Sequence, residues 1–406
     1  MPAAPPARTR GRSTAQQRLD AGSLTPGRMR AVANALAMRH ARSPAAPDFA
    51  PQPDFFRTLL DDPSVRRAAR RRLVERIEGG LVENADRLIE RAGRGRILKQ
   101  AAELRLEDVF IDDDDEVSVE APSSREIGVA FDAGLEVASL SVRLAAAGHP
   151  ELAERLVSHY ANQAEDFDLY SVLDFFESFC VLRQSVRAVG RGAEAPAEPP
   201  LVEPAARSPL SRPVVVAMSG AVASGKSTLA RALADELAVP LVVADRIRDH
   251  LVHGVPGRPL HEAGWAQGFE PGFGPRVYAA MFLRGEKVLA SGRPLILDAC
   301  FPTPFERAGA IALARRHGVP FRFVSCHVDP DVHRARLAER NAELEDDPGA
   351  WNEIADDLAA RFVAPSEIEP EERLYVDTSY APEASLAQLL DRFAGPLLPD
   401  REAPSA

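Results

Sequence analysis

The sequence predicts an α/β fold: a parallel sheet with helices on both faces, preceded by a smaller, mainly helical α+β domain. Three observations predict it. From residue 213 onward, short apolar runs alternate with stretches of helical periodicity. Such alternation builds a parallel sheet, because a helix must return the chain between parallel neighbours. The first apolar run ends in a glycine-rich loop that opens a helix. Upstream of it, residues 191–212 repeat Pro, Ala and Glu without periodicity, the composition of a linker.

Residues 1–49 are rich in Pro, Ala and Arg and poor in large apolar side chains. Such a segment buries too little surface to offset its ordering entropy, so a disordered tail is expected. Gly27 to Arg42 has the makings of a short basic helix. An Arg-rich, acid-poor transit peptide is the alternative reading of the same composition. Residues 50–190 read as the helical domain. Val65, Ala68, Leu73, Ile77, Leu81 and Leu88 recur at helical spacing between Ser64 and Ala92. A strand pair is expected at Asp108–Ile111 and Val117–Glu120, turning through the acidic run Asp112–Glu116. Helices are expected over 127–147, 150–163 and 168–188.

In the domain 213–395 the expected order begins with strand Pro213–Ser219, helix Lys226–Leu237 and strand Leu241–Ala244. Helix Pro275–Ala290, strand Pro294–Asp298, helix Pro304–His317 and strand Phe321–Cys326 come next. Helix Pro330–Asn341, strand Leu374–Asp377 and helix Glu383–Phe393 complete it, and 396–406 is a tail. Ligands of such sheets bind beyond the C-terminal ends of the strands.

Composition excludes several classes. A net charge of −11 argues against a general nucleic-acid binder. No apolar run reaches the roughly 18 residues a membrane helix needs, and the N-terminus lacks a secretory apolar core. Cys180, Cys300 and Cys326 are too scattered for a disulfide framework or a zinc site. A soluble cytoplasmic protein, without membrane or zinc, is the expectation. Its oligomeric state is not written in the sequence.

The loop Gly220-Ala221-Val222-Ala223-Ser224-Gly225-Lys226-Ser227-Thr228 follows a strand and opens a helix, the context a phosphate-binding P-loop requires. Glycines let the backbone turn its N–H groups toward phosphate oxygens, and the helix N-terminus adds its positive end. Lys226 is placed to reach the β- and γ-phosphates of ATP, and the Ser227 hydroxyl to coordinate Mg²⁺. Only three of the chain's 49 basic residues are lysine: Lys99, Lys226 and Lys287. Finding one where a compact ammonium is needed argues against a chance Gly-Lys-Ser turn.

Other candidates lie at strand ends. Asp245 follows the second strand and either accepts a proton from a substrate hydroxyl or caps the next helix. Arg248, one turn on, would hold an anionic acceptor. Asp298 ends the third strand, where it either binds Mg²⁺ or its water, or faces the acceptor. Cys300 beside it reads as a packing residue. Arg336 and Arg340 share a helix face four residues apart and, with the acidic stretch to Ala350, look like a lid closing on the phosphoryl group. Arg334 lies on the same helix. The loop Val252–Gly274, with His253, His261 and Trp265, is expected to border the acceptor pocket. No third ligand accompanies its histidines.

With these residues in place, the C-terminal half resembles the P-loop kinases often described as AAA-family ATPases, gluconate kinase and polynucleotide 5′-kinase among them. The matching elements are Gly220–Thr228, Asp245-x-x-Arg248, Arg276-x-Tyr278, Leu297-Asp298-Ala299 with Glu306-Arg307, and Arg334-x-Arg336-Leu337-x-x-Arg340. The resemblance implies that Asp245 acts on the acceptor hydroxyl and that Arg248 binds substrate phosphate. The sequence departs from it at Pro348-Gly349-Ala350, where relatives often carry Ser-Asp-Ala. Residues 50–190 resemble the C-terminal lobe of aminoglycoside-phosphotransferase-like proteins, through Glu90–Arg96 and the helices from Phe131 to Tyr160. The family's His-Gly-Asp-Leu motif falls on Ala101-Ala102-Glu103-Leu104, its metal-binding Asn on Asp108 and its later Asp on Glu120. These exchanges imply a degenerate scaffold or recognition module. The function expected of the whole is an ATP-dependent kinase acting on a hydroxyl of a small molecule or nucleic-acid end. An ATP-hydrolysing switch and a nucleotide-binding scaffold are the alternatives.

Overall fold

The computed structural model describes residues 12–46, 53, 56–57, 60–61, 65, 71–99, 103–120, 130–190, 207–253, 272–342, 349–393 and 397. The chain divides into two compact units. One comprises Met1–Ala164 and Val172–Leu201, the other Glu165–Ser171 and Val202–Ala406.

The first unit begins with β1 (Ser13–Thr14), α1 (Ala15–Asp20) and α2 (Pro26–Arg42), followed by α3 (Arg71–Gly93) and β2 (Ile97–Lys99). Then come β3 (Val109–Ile111), β4 (Val117–Val119), β5 (Ala130–Asp132), α4 (Gly134–Ala146), α5 (Pro150–Ala164) and α6 (Leu173–Gly190). The expected strand pair forms as β3 antiparallel to β4, with Val109 opposite Val119.

The disordered tail expected over residues 1–49 is corrected for residues 12–46. Thr14 and Thr25 cap α1 and α2 by accepting from the N–H groups of Gln17 and Arg28. Met29, Val32, Ala33, Leu36 and Ala37 form a buried stripe at helical spacing. The arginines that suggested disorder find acids distant in sequence: Arg28 with Asp115 at 2.6 Å, and Arg39 with the buried Glu136. The short basic helix expected from Gly27 to Arg42 forms as Pro26–Arg42, and what composition hid is its partners about a hundred residues away.

Two further boundaries move. The helix expected from 127 starts at Gly134, because Ala130–Asp132 pairs with β2. Asp132 accepts the Gly134 N–H and both Arg91 contacts at 2.8 Å, which fixes the strand-to-helix corner. The helix expected from 168 starts at Leu173.

The second unit contains β6 (Val215–Ser219), α7 (Lys226–Leu237), β7 (Leu241–Val243), α8 (Ala244–His253) and α9 (Phe273–Ala290). It continues through β8 (Leu295–Asp298), α10 (Pro304–Arg316), β9 (Phe321–His327), α11 (Pro330–Ala342), α12 (Ala350–Arg361), β10 (Arg373–Asp377) and α13 (Pro382–Phe393). The sheet order is β10-β9-β6-β8-β7, with every pair parallel. The α/β parallel fold expected of a P-loop kinase is thus present.

The strand β6 is buried throughout, and its alternate residues serve two cores. Val216 and Met218 pack with Leu229, Leu233 and Leu237 of α7 and with Leu389 and Phe393 of α13. On the opposite face α9 approaches so closely that a Cβ on Gly285 would lie 2.8 Å from Leu295 and 2.9 Å from Leu313. Each fully buried leucine or valine contributes about 1.5–3 kcal/mol. Leu210 and Leu397 join the same core, and the Ser211 N–H donates to the Leu397 carbonyl at 2.9 Å. The expected linker and tail therefore surrender residues 207–212 and 397 to the domain.

Sequence reasoning missed α12. The acidic stretch to Ala350 reads with the lid and no helix is expected after it, yet α12 packs Trp351, Ile354 and Leu358 against Val222 of the loop after β6 and Leu337 of α11.

Candidate active site

The glycine loop leaves the C-terminal end of β6, between β8 and β9, the place where a parallel sheet opens a crevice. Gly225 is left-handed, with φ +87°, and a Cβ there would lie 3.1 Å from Arg336 Nη1. A Cβ on Gly220 would lie 2.6 Å from Ser224 Oγ and 3.0 Å from the Cys326 carbonyl. Both glycines are therefore sterically required.

Three side chains hold the loop from behind. Arg336 Nη2 donates to the Thr378 carbonyl at 2.8 Å, and its Nη1 lies 3.5 Å from the Ser224 carbonyl. The Thr378 hydroxyl also bonds the Ser224 carbonyl. His333 Nε2 bonds the Val222 carbonyl at 2.7 Å. The arrangement leaves Arg336 a strut beneath the loop, against its expected place over the phosphoryl group. Arg334 pairs with Asp331 on the exposed side of α11.

Lys226, Ser227, Asp245, Arg248, Asp298 and Arg340 converge on one cavity of 390 Å³, with Val222 in its wall. Register explains part of this convergence. Asp298 pairs with Met218 on one side and Val243 on the other, so three adjacent strands end at one level. Asp298 is 2% exposed and lies beside Ser227, from which it receives a hydrogen bond. Its Oδ1 is buried without a hydrogen-bond partner among the described residues. Burial pushes the Asp298 carboxyl above its ordinary range, although Lys226 and the Ser227 bond oppose this.

Asp245 behaves in the opposite way. Its burial also favours the neutral acid, but Arg248, Lys226 and Arg340 outweigh it and hold the carboxyl below its usual range. Arg248 Nη1 donates to Asp245 Oδ1 at 2.7 Å, and Arg340 lies 3.9 Å from Oδ2. Burial alone would lower the Lys226 ammonium, yet Cys300, Asp298 and Asp245 beside it raise it. At neutral pH the centre therefore presents an ammonium, a carboxylate on Asp245 and a reluctantly ionised acid on Asp298.

The loop after β8 is braced by residues that the sequence flagged without a role. Tyr278 accepts the Phe301 N–H at 2.9 Å, and burial holds its phenol far above the ordinary range. Arg307, fully buried, donates to the Phe301 carbonyl at 3.0 Å and pairs with Glu367. Glu306 closes a capping box with Thr303. Burial pushes the Cys326 thiol up to about 12, so it is inert packing. Cys300 lines the cavity.

Thr378 and Trp351 are the residues that sequence reading missed. Thr378 follows strand-end Asp377, the same signal that marked Asp245 and Asp298. Trp351 is 2% exposed on α12, and Arg340 stacks over its ring at 3.7 Å. Most of the loop Val252–Gly274, with His261 and Trp265, lies outside the described residues, as does the side chain of His253; Gly272 and Gly274 reach the cavity rim. In the first unit, Ala101 and Ala102 also lie outside them. Glu103 is buried and pairs with Arg143 and Arg187, while Asp108 accepts the Arg105 N–H at 2.9 Å. Both acids serve the fold there.

An orphaned buried carboxylate oxygen beside a loop-terminal serine, and a loop only glycine can form, fit Mg²⁺ and a nucleotide's phosphates. Fold and loop together define a nucleotide-binding P-loop fold in the second unit. A family model described as an AAA domain matches residues 215–365. No curated protein sequence matches the chain. Among solved structures, a gluconokinase from Sinorhizobium meliloti 1021 is 18% identical, with 45% of this chain and 92% of that one covered at a TM-score of 0.32. A sugar kinase from Janibacter sp. HTCC2649 is 19% identical, with 45% and 94% covered at 0.31. Chaetomium thermophilum Kti12 in complex with ADP-AlF3 is 18% identical, with 45% and 100% covered at 0.32.

Proposed function

We propose that residues 213–395 form an ATP-dependent kinase that transfers a phosphoryl group to an alcohol. The observation that carries the reading is the position of Asp245. Its carboxylate shares one cavity with Lys226, Ser227 and Asp298, at the C-terminal edge of the sheet. A hydrolytic switch needs no such pocket for an acceptor.

Ser227 and Asp298 would hold Mg²⁺, and Lys226 with the N–H groups of the loop would hold the phosphates. Bound Mg·ATP supplies the transferable phosphoryl group and part of the charge neutralisation. Asp245, kept ionised by Arg248, accepts a hydrogen bond from the acceptor hydroxyl and aims its oxygen at phosphorus. The proton passes to Asp245 as the new O–P bond forms and the bond to ADP breaks, and leaves to water afterwards. A carboxylate with a depressed pKa is a weak base, so orientation contributes more than proton abstraction. Arg340 offsets charge on the phosphoryl oxygens. Its guanidinium is held by Trp351 and requires no reorganisation when charge develops.

In the same reading the first unit is a phosphotransferase-derived lobe without activity. Its motif position Glu103 is engaged by two arginines. Support for the kinase would be Mg²⁺-dependent ADP release that rises with one acceptor pool and vanishes in Lys226→Ala. ADP release indifferent to every pool would make the domain a switch.

A further inference from the structure

We infer that the acceptor is a small neutral or aminated polyol, one without a phosphate or carboxylate. This inference rests on the kinase reading above and narrows it. The phosphate half of the cavity is served by Lys226, Asp298 and Arg340. The remaining charged side chains that line it are two arginines, Arg248 and Arg361, and four carboxylates, Asp245, Glu306, Glu353 and Asp357.

Both arginines already carry carboxylate partners. Arg248 is bound to Asp245 at 2.7 Å with its side chain only 14% exposed. Arg361 lies 3.4 Å from Asp357 and 4.0 Å from Glu306. Among the described residues, two carboxylates therefore remain in excess on the acceptor side. Glu353 forms no ion pair among the described residues, and it stands on the same face of α12 as Asp357, one turn away. Among the described residues, an incoming phosphate or carboxylate would meet this surplus with no cation lacking a carboxylate partner on the acceptor side. Hydroxyl and ammonium groups would donate to it.

The walls fit the same chemistry. Pro275, Tyr278, Pro302, Ile354 and Leu358 supply apolar surface between the acids. A sugar or cyclitol ring offers C–H faces to such surface and O–H edges to the carboxylates. The whole cavity is 390 Å³, and the transferring phosphate must share it. A single ring fits beside that phosphate. Arg248, which the sequence suggested as an anion holder, here fixes Asp245.

The test is acceptor-dependent ADP release by the full chain with Mg·ATP, at low and at moderate salt. One panel holds neutral hexoses, cyclitols and amino sugars. The other holds sugar phosphates, sugar acids and 5′-hydroxyl oligonucleotides. Stimulation by the first panel alone is expected. For an amino sugar, E353Q/D357N should raise KM by roughly three- to tenfold and leave kcat within about twofold, as loss of partly exposed charge pairs does. For the matching neutral sugar, KM should move less. Stimulation by the anionic panel would overturn the inference and leave the kinase standing. Stimulation by neither panel, with Lys226-dependent ATP hydrolysis intact, would overturn the kinase reading and this inference with it.

Discussion

Arg340 stacks on the ring of Trp351 with 3.7 Å between its guanidinium carbon and the ring centroid, while Arg336, one turn earlier, reaches away to the carbonyl of Thr378. Two arginines on one helix face thus serve different ends. Arg340→Ala should lower kcat by about a hundredfold or more, the usual loss when a charge-stabilising donor is removed, with little change in ADP affinity. Arg336→Ala should weaken ADP binding and lower the melting temperature, because it frees the loop carbonyls. Steady-state kinetics with ADP titration calorimetry separates the two. Equal effects on binding and turnover in both variants would return Arg336 to the lid.

If the proposed kinase reading holds, Asp298 should set the acid limb of activity. Burial raises its carboxyl against the pull of Lys226, whereas Asp245 is held low by Arg248, Lys226 and Arg340. As pH falls, Asp298 is protonated first and loses Mg²⁺, so kcat/KM should decline before Asp245 titrates. The same shift fixes a stability effect. A carboxyl raised in the folded state costs nothing below its unfolded pKa, and stability is lost as pH rises through the folded value. Asp298→Asn should therefore melt a few degrees higher than wild type at neutral pH and equally at strongly acidic pH, while turnover disappears. A lower melting temperature at neutral pH would contradict the assignment.

Gly225 combines φ +87° with a 3.1 Å approach of Arg336 to the position of a Cβ. Gly225→Ala should cost about 1–2 kcal/mol from the left-handed backbone alone, and more from the displaced arginine. Urea unfolding measures the loss, which should be accompanied by at least a tenfold weaker ADP affinity if the loop is the phosphate cradle. Unchanged affinity would show that the loop does not hold phosphate.

Leu36 is fully buried on α2. Leu36→Ala should destabilise the first unit by about 2–4 kcal/mol, visible as an early melting transition. Were the N-terminal segment a disordered tail, the substitution would be silent.

The second unit was legible because its signals are local. A strand, a glycine loop and a lysine opening a helix lie within fifteen residues, and strand-end acids follow from the topology of any parallel sheet. What escaped depends on distant partners. The helix Pro26–Arg42 is legible as a basic helix, but its docking is not until Asp115 and Glu136 appear beside its arginines. Arg336 and Arg340 are equivalent by spacing and differ only because Thr378 lies on one side and Trp351 on the other. Arg248 reads as an anion holder by spacing, and its bond from Nη1 to Asp245 Oδ1 becomes visible only in the fold.

The central claim is that Asp245 aims an acceptor hydroxyl at a phosphate held by Lys226. Transfer of label from γ-labelled ATP to an acceptor, compared between wild type and Asp245→Asn at equal ATP occupancy, tests it most directly. The account predicts a labelled, phosphorylated alcohol from wild type and at least a hundredfold less from the variant. Label released only as inorganic phosphate, at the same rate in both proteins, would contradict it.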